Sequence, residues 1–484
     1  MTAGLDRPLS LGMPFTRWLR CHRLHLLALL LTATLLGCMG CAQLPKMVPD
    51  LSRRAAPQLQ VAGAQGPLSA AKAKAVIDRL QQGGQVSDTF MRHLALEEEL
   101  AGTPLTAGNQ VTLLQDGPAT YRAMFAAIEG ARDHVHMETY ILEDDEVGQR
   151  FAALLIAKRQ QGVAVHLIRD SAGTLGTPAQ FFQKLTDAGV QVLEFNPINP
   201  LAALSEQKDW ELNQRDHRKL LIVDGRVAFL GGINISSVYS GGSFSQQARP
   251  KANGNLAWRD TDLQLKGPVV ADLQKLFLAS WAAQKGPALP SRQYYPPPVQ
   301  AGPHLVRAIG SSPDEPFSRI YATLLSAIAS AETSIRITNA YFVPDPQLLQ
   351  ALQSAARRGV DVVLILPAQT DSWIVFHAGR ASYESLLAAG VKIYQRRGVV
   401  LHSKTALIDG VWSTVGSTNL DWRSFLHNHE LNAVVLGASF GSQVQAMFDR
   451  DLAESEAITL TNWRQRPLDL RAKEWLAALW EYWL

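Results

Sequence analysis

Cysteine is almost missing from this sequence. Its three cysteines, Cys21, Cys38 and Cys41, all lie near the N-terminus, and the rest of the 484-residue chain contains none. The body of the protein therefore has no disulfide framework, thiol nucleophile or cysteine-ligated metal. The sequence also lacks a large excess of charge of either sign. Its net charge is only +3, so we expect no nucleic-acid partner. Apolar residues make up 47% of the chain, which is enough for large buried cores.

The cysteines belong to an N-terminal segment with the pattern of a targeting signal. A basic stretch at 17–23 precedes an uncharged run at 24–45 with the apolar centre LLALLLTATLLG, the order of a secretory signal. The following LLGC resembles a bacterial lipoprotein signal and predicts lipidation at Cys38, with Cys41 a less favoured site. The alternative is an uncleaved anchor helix, since the run barely reaches the roughly 20 residues that span a bilayer. Either way, segment 1–41 is expected to attach the chain to a membrane of the bacterial cell envelope.

The body of the chain repeats itself. Runs such as VAVHLI and VQVLEF alternate with helical runs such as VGQRFAALLIAKRQQG, which is typical of α/β layers. After a segment with six prolines the series restarts, and TSIRITNAYFVPD repeats DHVHMETYILEDD. We therefore predict an α/β protein with two homologous lobes, each a mixed sheet flanked by helices, related by pseudo-twofold symmetry. The predicted boundaries are a tether and helical accessory segment at 42–104, a first lobe at 105–283, a Pro-rich linker at 284–304, a second lobe at 305–455 and a C-terminal amphipathic helix at 456–484.

Each half contains the same nine-residue signature. It reads HRKLLIVDG from His217 and HSKTALIDG from His402. In a strand, residues two apart point to the same face. Lys219 is therefore predicted to lie beside His217, and Lys404 beside His402.

The ends of the two signatures predict hairpins. Asp224-Gly225 and Asp409-Gly410 are typical of a tight turn, which favours a structural role for both aspartates. The return strands would bring small residues back beside the start of each signature, where they leave room for a ligand. These small residues are Gly231-Gly232 and Gly416-Ser417, and each pair is followed by an asparagine, Asn234 or Asn419.

These residue types suit reaction at a phosphodiester. One histidine can attack phosphorus to give a phosphohistidine, and a second can protonate the leaving alkoxide. Each half supplies one such histidine, so the duplication has a mechanistic reason if the halves face each other across one active site. The lysines and the asparagines would stabilise the charged phosphoryl oxygens, and we expect neither a metal nor a cofactor. Duplication of a packing unit alone would leave the matched polar positions unexplained.

A reactive histidine also needs a group that orients its ring. Glu430 heads a predicted strand 28 residues after His402, and Asp260 occupies the aligned position in the first half. A carboxylate bonded to the far ring nitrogen fixes the tautomer and supports the imidazolium. The alternative for both residues is an ordinary surface carboxylate.

Further polar residues flank the signatures. Asn213 and Arg215 precede His217 and would extend the phosphate cradle. Arg259 and Arg423 follow the two motifs at similar positions. They either bind lipid phosphates or form structural salt bridges.

The two H-x-K-x4-D-x6-G-[GS]-x-N motifs resemble the phospholipase D superfamily. NQRDHRKLLIVDGRVAFLGGINIS, WRDTDLQLKGP and GSTNLDWRSFLHNHELNAVV narrow the resemblance to bacterial cardiolipin synthases, over about residues 107–455. The resemblance implies that a histidine takes a phosphatidyl group from phosphatidylglycerol or phosphatidylethanolamine and passes it to the glycerol hydroxyl of phosphatidylglycerol, without ATP. It also implies that the family habit holds, with His217 as nucleophile and His402 as acid and base. The implied catalytic set is His217, Lys219, Asp224, His402, Lys404 and Asp409.

The resemblance leaves other functions open. A phospholipase D would use water in place of the glycerol acceptor, a superfamily nuclease would cut nucleic acid, and a membrane scaffold would need no catalysis. The C-terminal LRAKEWLAALWEYWL has apolar residues at helical spacing with three tryptophans. It is either an interfacial helix on a bilayer or a helix docked on the body. The predicted partners are phospholipid substrates and a membrane.

Overall fold

A computed structural model describes residues 59–81, 87–198, 213–241 and 256–484. The predicted signal or anchor at 1–41 lies outside the described residues, and so does its lipidation site Cys38. None of the described helices is both long and apolar enough to cross a bilayer.

The first lobe is built on seven main strands preceded by an accessory segment. Their order across the sheet is β6-β5-β4-β8-β9-β11-β3, parallel among β4, β5 and β6 and antiparallel elsewhere. The accessory segment contains β1 (Val61–Gly63), β2 (Gly66–Pro67), α1 (Ala70–Gln81) and α2 (Asp88–Ala101). The lobe contains β3 (Leu105–Leu114), α3 (Gly117–Glu129), β4 (His134–Thr139), α4 (Glu146–Gln160), β5 (Ala164–Asp170), α5 (Ala179–Asp187), β6 (Gln191–Phe195), β7 (Arg215–Asp216), β8 (Leu220–Val223), β9 (Val227–Gly231), β10 (Trp258–Arg259), β11 (Asp262–Lys266) and α6 (Val269–Ala283).

The second lobe repeats this topology. Its order is β15-β14-β13-β17-β18-β19-β12, with the same parallel and antiparallel pairings. The elements are β12 (His304–Ser311), α7 (Arg319–Ser330), β13 (Ser334–Asn339), α8 (Pro346–Arg357), β14 (Asp361–Pro367), α9 (Trp373–Arg380), α10 (Tyr383–Ala388), β15 (Lys392–Arg396), β16 (Val400–Leu401), β17 (Lys404–Ile408), β18 (Trp412–Gly416), α11 (Trp422–Leu426), β19 (Asn428–Leu436) and α12 (Ala438–Ala453). The predicted fold class is confirmed.

Local sequence explains why corresponding helices begin where they do. Asp145 precedes α4 and accepts hydrogen bonds from the N–H groups of Val147 and Gly148, while Asp345 does the same for the first turn of α8. An aspartate at this position satisfies N–H groups that have no partner within the helix. This pair of corresponding helices therefore begins with the same cap in both halves.

The two lobes form one structure. Strand β3 pairs antiparallel with β12, so the sheets of the two lobes are continuous. One buried apolar cluster also draws on both sheets and on helices α6 and α12; among its members are Val111, Leu220, Leu407 and Leu431. Burial of this shared surface holds the lobes in a fixed relation, which a site assembled from both halves requires.

The accessory segment completes the core of the second lobe. On α2, buried Glu97 accepts a hydrogen bond from the Trp412 indole at 2.9 Å and pairs with Arg307 at 3.2 Å. Burial opposes ionisation of Glu97, but His93 and Arg307 outweigh it and lower the pKa of Glu97. The Pro-rich linker packs instead on the first lobe, with the Tyr294 ring 5.0 Å from that of His134.

The C-terminal segment differs from the single amphipathic helix predicted for 456–484. It begins with the strand β20 (Ser455–Ile458), which pairs with the edge strand β15. Two helices follow, α13 (Leu460–Arg464) and α14 (Leu468–Ala478), and then a 3-10 turn (Glu481–Trp483). Thr459 caps α13, and Pro467 stands directly before α14, so the chain has sequence reasons to begin a new helix twice.

Candidate active site

Both signatures form hairpins whose turns lie at the far end from the histidines. Strand β8 pairs with β9, and β17 pairs with β18. The Asp and Gly residues of both turns have positive φ, from 50° to 69°, as the two central positions of a type I′ turn require. The strand pairing leaves one further residue in each loop.

The turn aspartates anchor neighbouring strands. Asp224 accepts backbone N–H groups of Arg132, Asp133 and His134 at 2.8–2.9 Å. Asp409 accepts the equivalent three N–H groups before β13 at 2.8–2.9 Å. These contacts fit the structural role that the turn predicts. They involve neither His217 nor His402, although the family resemblance includes both aspartates in the catalytic set.

The two lobes exchange short strands around the histidines. Strand β7, just before His217, pairs with the start of β19, and β16, just before His402, pairs with β10. The His217 N–H donates to the His429 carbonyl at 3.0 Å, and the His402 N–H donates to the Arg259 carbonyl at 2.7 Å. Each signature is thus fastened by its backbone to the opposite lobe.

Because of this exchange, the histidine of each lobe is bonded to a carboxylate of the other lobe. Glu430 of the second lobe lies 3.0 and 3.1 Å from His217 Nδ1 of the first. Asp260 of the first lobe lies 2.6 Å from His402 Nδ1 of the second. All four side chains are at least nine-tenths buried. The sequence identified both carboxylates as candidates, but it did not reveal that each one serves the histidine of the other half.

The small residues after the hairpins make room for polar side chains of the neighbouring strand, among them Asp260. A Cβ on Gly232 would lie 2.3 Å from Asp260 Oδ1, and a Cβ on Gly416 would lie 2.0 Å from Asn432 Oδ1. Ser417, the counterpart of Gly232, donates its hydroxyl to Glu430. The expectation that these positions leave room for a ligand was wrong, because protein side chains already fill it.

Electrostatics keep the histidines neutral and the carboxylate charged. Burial lowers the pKa of His217 to about 4, against the opposing influence of Glu430, and burial also lowers the pKa of His402. Burial alone would raise the pKa of Glu430, but His217 and Lys219 together with the Ser417 hydroxyl bring it to about 2. At neutral pH, His217 Nε2 therefore has a free electron pair while Nδ1–H is held by an ionised carboxylate.

The lysines belong to the same small space. Lys219 Nζ donates to the His217 carbonyl and Lys404 Nζ to the His402 carbonyl. Burial lowers the pKa of Lys219 to about 7, with a further contribution from Lys404, and lowers the pKa of Lys404 to about 8. Two buried ammonium groups that repel each other are stabilised by an anion placed between them.

The two asparagines have different surroundings. Asn234 is engaged at both ends, since its Oδ1 accepts the Ile141 N–H at 3.2 Å and its Nδ2 donates to the Tyr239 hydroxyl at 3.1 Å. Asn419 is buried, and its Oδ1 has no hydrogen-bond partner among the described residues. Phosphate binding by either residue remains a prediction, and Asn234 would have to exchange an existing contact for it.

The three flanking arginines have different hydrogen-bond partners. Arg259 is fully buried and forms a two-point ion pair with Asp451 at 2.8 and 3.1 Å, so it is a structural salt bridge. Arg423 instead donates to the side chain and backbone oxygens of Asn213 at 2.8 and 3.3 Å. Arg215 is buried beside Ser171, to whose hydroxyl it donates at 2.8 Å.

Aromatic rings surround the histidines differently on the two sides. Tyr140 lies 5.1 Å from the His217 ring, while Trp258 lies 5.1 Å and Tyr239 6.0 Å from the His402 ring. Trp258 and Tyr239 were not predicted. They stand beside irregular segments with no periodic pattern, and only their position next to β10 and the 3-10 turn at Ser237–Tyr239 brings them here.

Within the described residues, no group of three or more His, Cys, Asp or Glu side chains is placed to hold a metal ion. The arrangement contains two oriented imidazoles and two ammonium groups from opposite lobes. It can attack a phosphodiester with one imidazole, handle a proton with the other and stabilise the charged oxygens with the lysines.

Comparisons with known proteins point to one family. The family profile described as "Cardiolipin synthase, PLD-like domain" matches residues 124–242 and 324–452. A cardiolipin synthase of Geobacillus sp. (strain WCH70) is 36% identical over 388 residues, which cover 80% of this chain and 74% of that protein. Cardiolipin synthase A of Pseudomonas entomophila is 36% identical over 380 residues, covering 77% and 74%.

A solved structure supports the fold. The phosphatidylserine synthase of Haemophilus influenzae superposes with a TM-score of 0.58 at 14% identity, covering 81% of this chain and all of that one. At this identity the likeness concerns the fold alone.

Proposed function

The chain belongs to the phospholipase D-like cardiolipin synthase family, and from this membership we propose that it is a phosphatidyltransferase that makes cardiolipin. The observation that carries the proposal is the crossed pair of imidazoles, each held by a carboxylate of the other lobe. Such a site exchanges one phosphodiester for another. It therefore needs no ATP and no energy-carrying cofactor.

The reaction takes two displacements at one phosphorus. In the first, a neutral imidazole Nε2 forms a bond to phosphorus of a donor phospholipid and the bond to the headgroup oxygen breaks. The other imidazole takes up a proton from solvent when the anionic phosphate binds beside it, and gives this proton to the leaving alkoxide. In the second, that imidazole takes the proton of the glycerol hydroxyl of phosphatidylglycerol. The hydroxyl oxygen bonds to phosphorus and the P–N bond breaks, which regenerates both histidines.

The donor is phosphatidylglycerol or phosphatidylethanolamine in this proposal. A test uses purified protein with phosphatidylglycerol labelled in the headgroup glycerol and in the acyl chains. The expected products are acyl-labelled cardiolipin and free labelled glycerol. Phosphatidate in place of cardiolipin would identify a hydrolase, and no turnover of lipid with turnover of plasmid DNA would identify a nuclease.

The lysines predict the pH dependence of the reaction. We expect kcat/KM to fall on the acid side near pH 4, where His217 becomes protonated, and on the alkaline side between pH 7 and 8, where Lys219 and Lys404 lose their protons. Bound phosphate stabilises the ammonium forms, so the alkaline limb of kcat should lie at higher pH than that of kcat/KM. The measurement is a pH series in mixed micelles with the folded state checked at each pH; an alkaline limb above pH 10 in kcat/KM would contradict it.

The C-terminal segment supports a membrane-facing surface. Helix α14 docks through a polar side, because buried Glu474 pairs with Arg380 at 3.1 Å and Arg466 at 2.8 Å. The tryptophans of α14 and of the turn that follows it are left outside: Trp475 is 64% exposed, Trp480 48% and Trp483 60%. Tryptophans with an exposed ring and nearby basic residues are typical of the bilayer interface. We propose that this surface binds the membrane in which the lipid substrates lie.

Replacing Trp475, Trp480 and Trp483 together with serine should weaken vesicle binding about tenfold or more, since the rings supply much of the apolar area available for insertion. The measurement is co-sedimentation with phosphatidylglycerol vesicles, using a chain that starts at Met47 so that the N-terminal segment does not contribute. The matched control replaces Tyr295 and Val299, which are 53% and 59% exposed on the Pro-rich linker. Equal binding by the tryptophan variant and the control would reject the surface.

A further inference from the structure

Two arginines beside the catalytic centre have no role in the displacements described above. Arg215 stands two residues before His217, and Arg423 reaches the same place from α11 of the other lobe, where it holds Asn213. Asn213 is two residues before Arg215, so this hydrogen bond places the two cations close together. Burial lowers the pKa of Arg215, and the charge of Arg423 lowers it further. Burial raises the pKa of the Tyr140 hydroxyl, and both arginines oppose this rise. The Tyr140 ring contacts His217.

Neither the buried Arg215 nor the half-buried Arg423 has a hydrogen-bonded carboxylate partner among the described residues. Arg215 is 2% exposed, and its Nε and Nη2 have no hydrogen-bond partner within the described residues. The nearest carboxylate oxygen, on Asp170, is 3.9 Å from Nη1, and burial raises the pKa of Asp170 to about 6. Arg423 forms no ion pair with any residue that the structure describes; its guanidinium bonds are to a neutral asparagine. Buried guanidinium N–H groups left open favour binding of an anion.

The pair also breaks the symmetry of the site. The histidine, lysine and carboxylate recur in both halves, but the positions related to Arg215 and Arg423 by the repeat are Val400 and Val238. The reacting phosphate already has the two lysines, one from each half. The extra positive charge is therefore present beside His217 and has no counterpart beside His402.

We propose that Arg215 and Arg423 bind a second phosphodiester, that of the acceptor phosphatidylglycerol, while its glycerol hydroxyl reaches the reacting phosphorus. This inference rests on the proposed function. Cardiolipin contains two phosphates joined by one glycerol, and only one of them reacts, so the other must be accommodated as an anion a glycerol's length away. Planar guanidinium groups bind phosphate oxygens in pairs and keep their charge at every working pH.

The test compares acceptors with and without a phosphate. Full-length protein with Arg423→Gln is assayed for transfer of a labelled phosphatidyl group to phosphatidylglycerol and to free glycerol. The ratio of the two kcat/KM values is expected to fall at least tenfold, and Arg423→Lys should retain part of it. Arg464→Gln, at an exposed pair with Glu384, is the control and should leave the ratio unchanged. Thermal melting confirms that each variant is folded.

Two results would overturn the subsite. An unchanged ratio would show that the pair does not bind the acceptor phosphate, and a parallel loss with both acceptors would assign it to the reacting phosphate. Failure of the proposed function would appear differently, as a wild-type protein that forms no cardiolipin at all.

Discussion

Replacing either His217 or His402 with alanine is expected to lower cardiolipin formation by about 10⁴-fold or more. Each ring is buried and held at Nδ1 by a carboxylate, so its Nε2 is the atom available for chemistry. One displacement needs a nucleophile and a proton donor together, and the second needs the same two groups in reverse. Loss of either imidazole therefore stops both steps, and the double variant should be no slower than the single ones.

The measurement is the initial rate of cardiolipin formation, with His304→Ala as the matched control. His304 is a half-buried histidine on β12 whose ring accepts the Val111 N–H, outside the site. It should keep most of the activity. Substantial turnover in both the His217 and His402 variants, with the folded state intact, would mean that another group performs the displacement.

The sequence was sufficient for the lobes and for the candidate side chains of the site because both depend on local patterns. The repeat of strand and helix runs predicts the same topology twice, and an Asp-Gly pair predicts each hairpin turn. Asp260 and Glu430 could be found from their aligned positions. None of these inferences requires knowledge of how one lobe meets the other.

The pairing of each carboxylate with the histidine of the other lobe could not be predicted in this way. It depends on two-residue pairings, β7 with the start of β19 and β10 with β16, which are too short to leave a periodic signal. The choice between phosphate binding and a structural salt bridge for Arg259 and Arg423 also depended on how the lobes meet. Nothing in the sequence separates the roles of Arg259 and Arg423. Asp451 on α12 pairs with Arg259 and also with Arg396 of β15, and only this packing of α12 against the first lobe makes Arg259 structural.

The outward-facing tryptophans show a further limit of pattern reading. Helical spacing predicts that one side of α14 is apolar, but not whether that side faces the protein. Glu474 decides this, because its two ion pairs turn the polar side inward. A charge at one position thus determines the orientation of the whole helix.

Replacing Glu430 with glutamine is expected to impair His217 and to leave the ring of His402 unaffected, whereas Asp260→Asn should do the opposite. An amide has nearly the same shape as the carboxylate but lacks its charge, so it no longer fixes the tautomer or supports the imidazolium. We expect cardiolipin formation to fall by about 10²- to 10⁴-fold in each variant. Because Glu430 raises the pKa of His217, its removal should also move the acid limb of kcat/KM to lower pH.

Activity alone cannot separate crossed pairs from pairs within one lobe, since both histidines are needed for turnover. The ring nitrogens of ¹⁵N-labelled histidine separate them, because the resonance of a ring responds to its own hydrogen-bond partner. Glu430→Gln should shift the signals of His217, 213 positions away in sequence, and spare those of His402, 28 positions away. The exposed Glu384→Gln, remote from both rings, should shift neither. If Glu430→Gln moved the His402 signals and not those of His217, each lobe would hold its own histidine. The exchange of strands would then have no part in building the site.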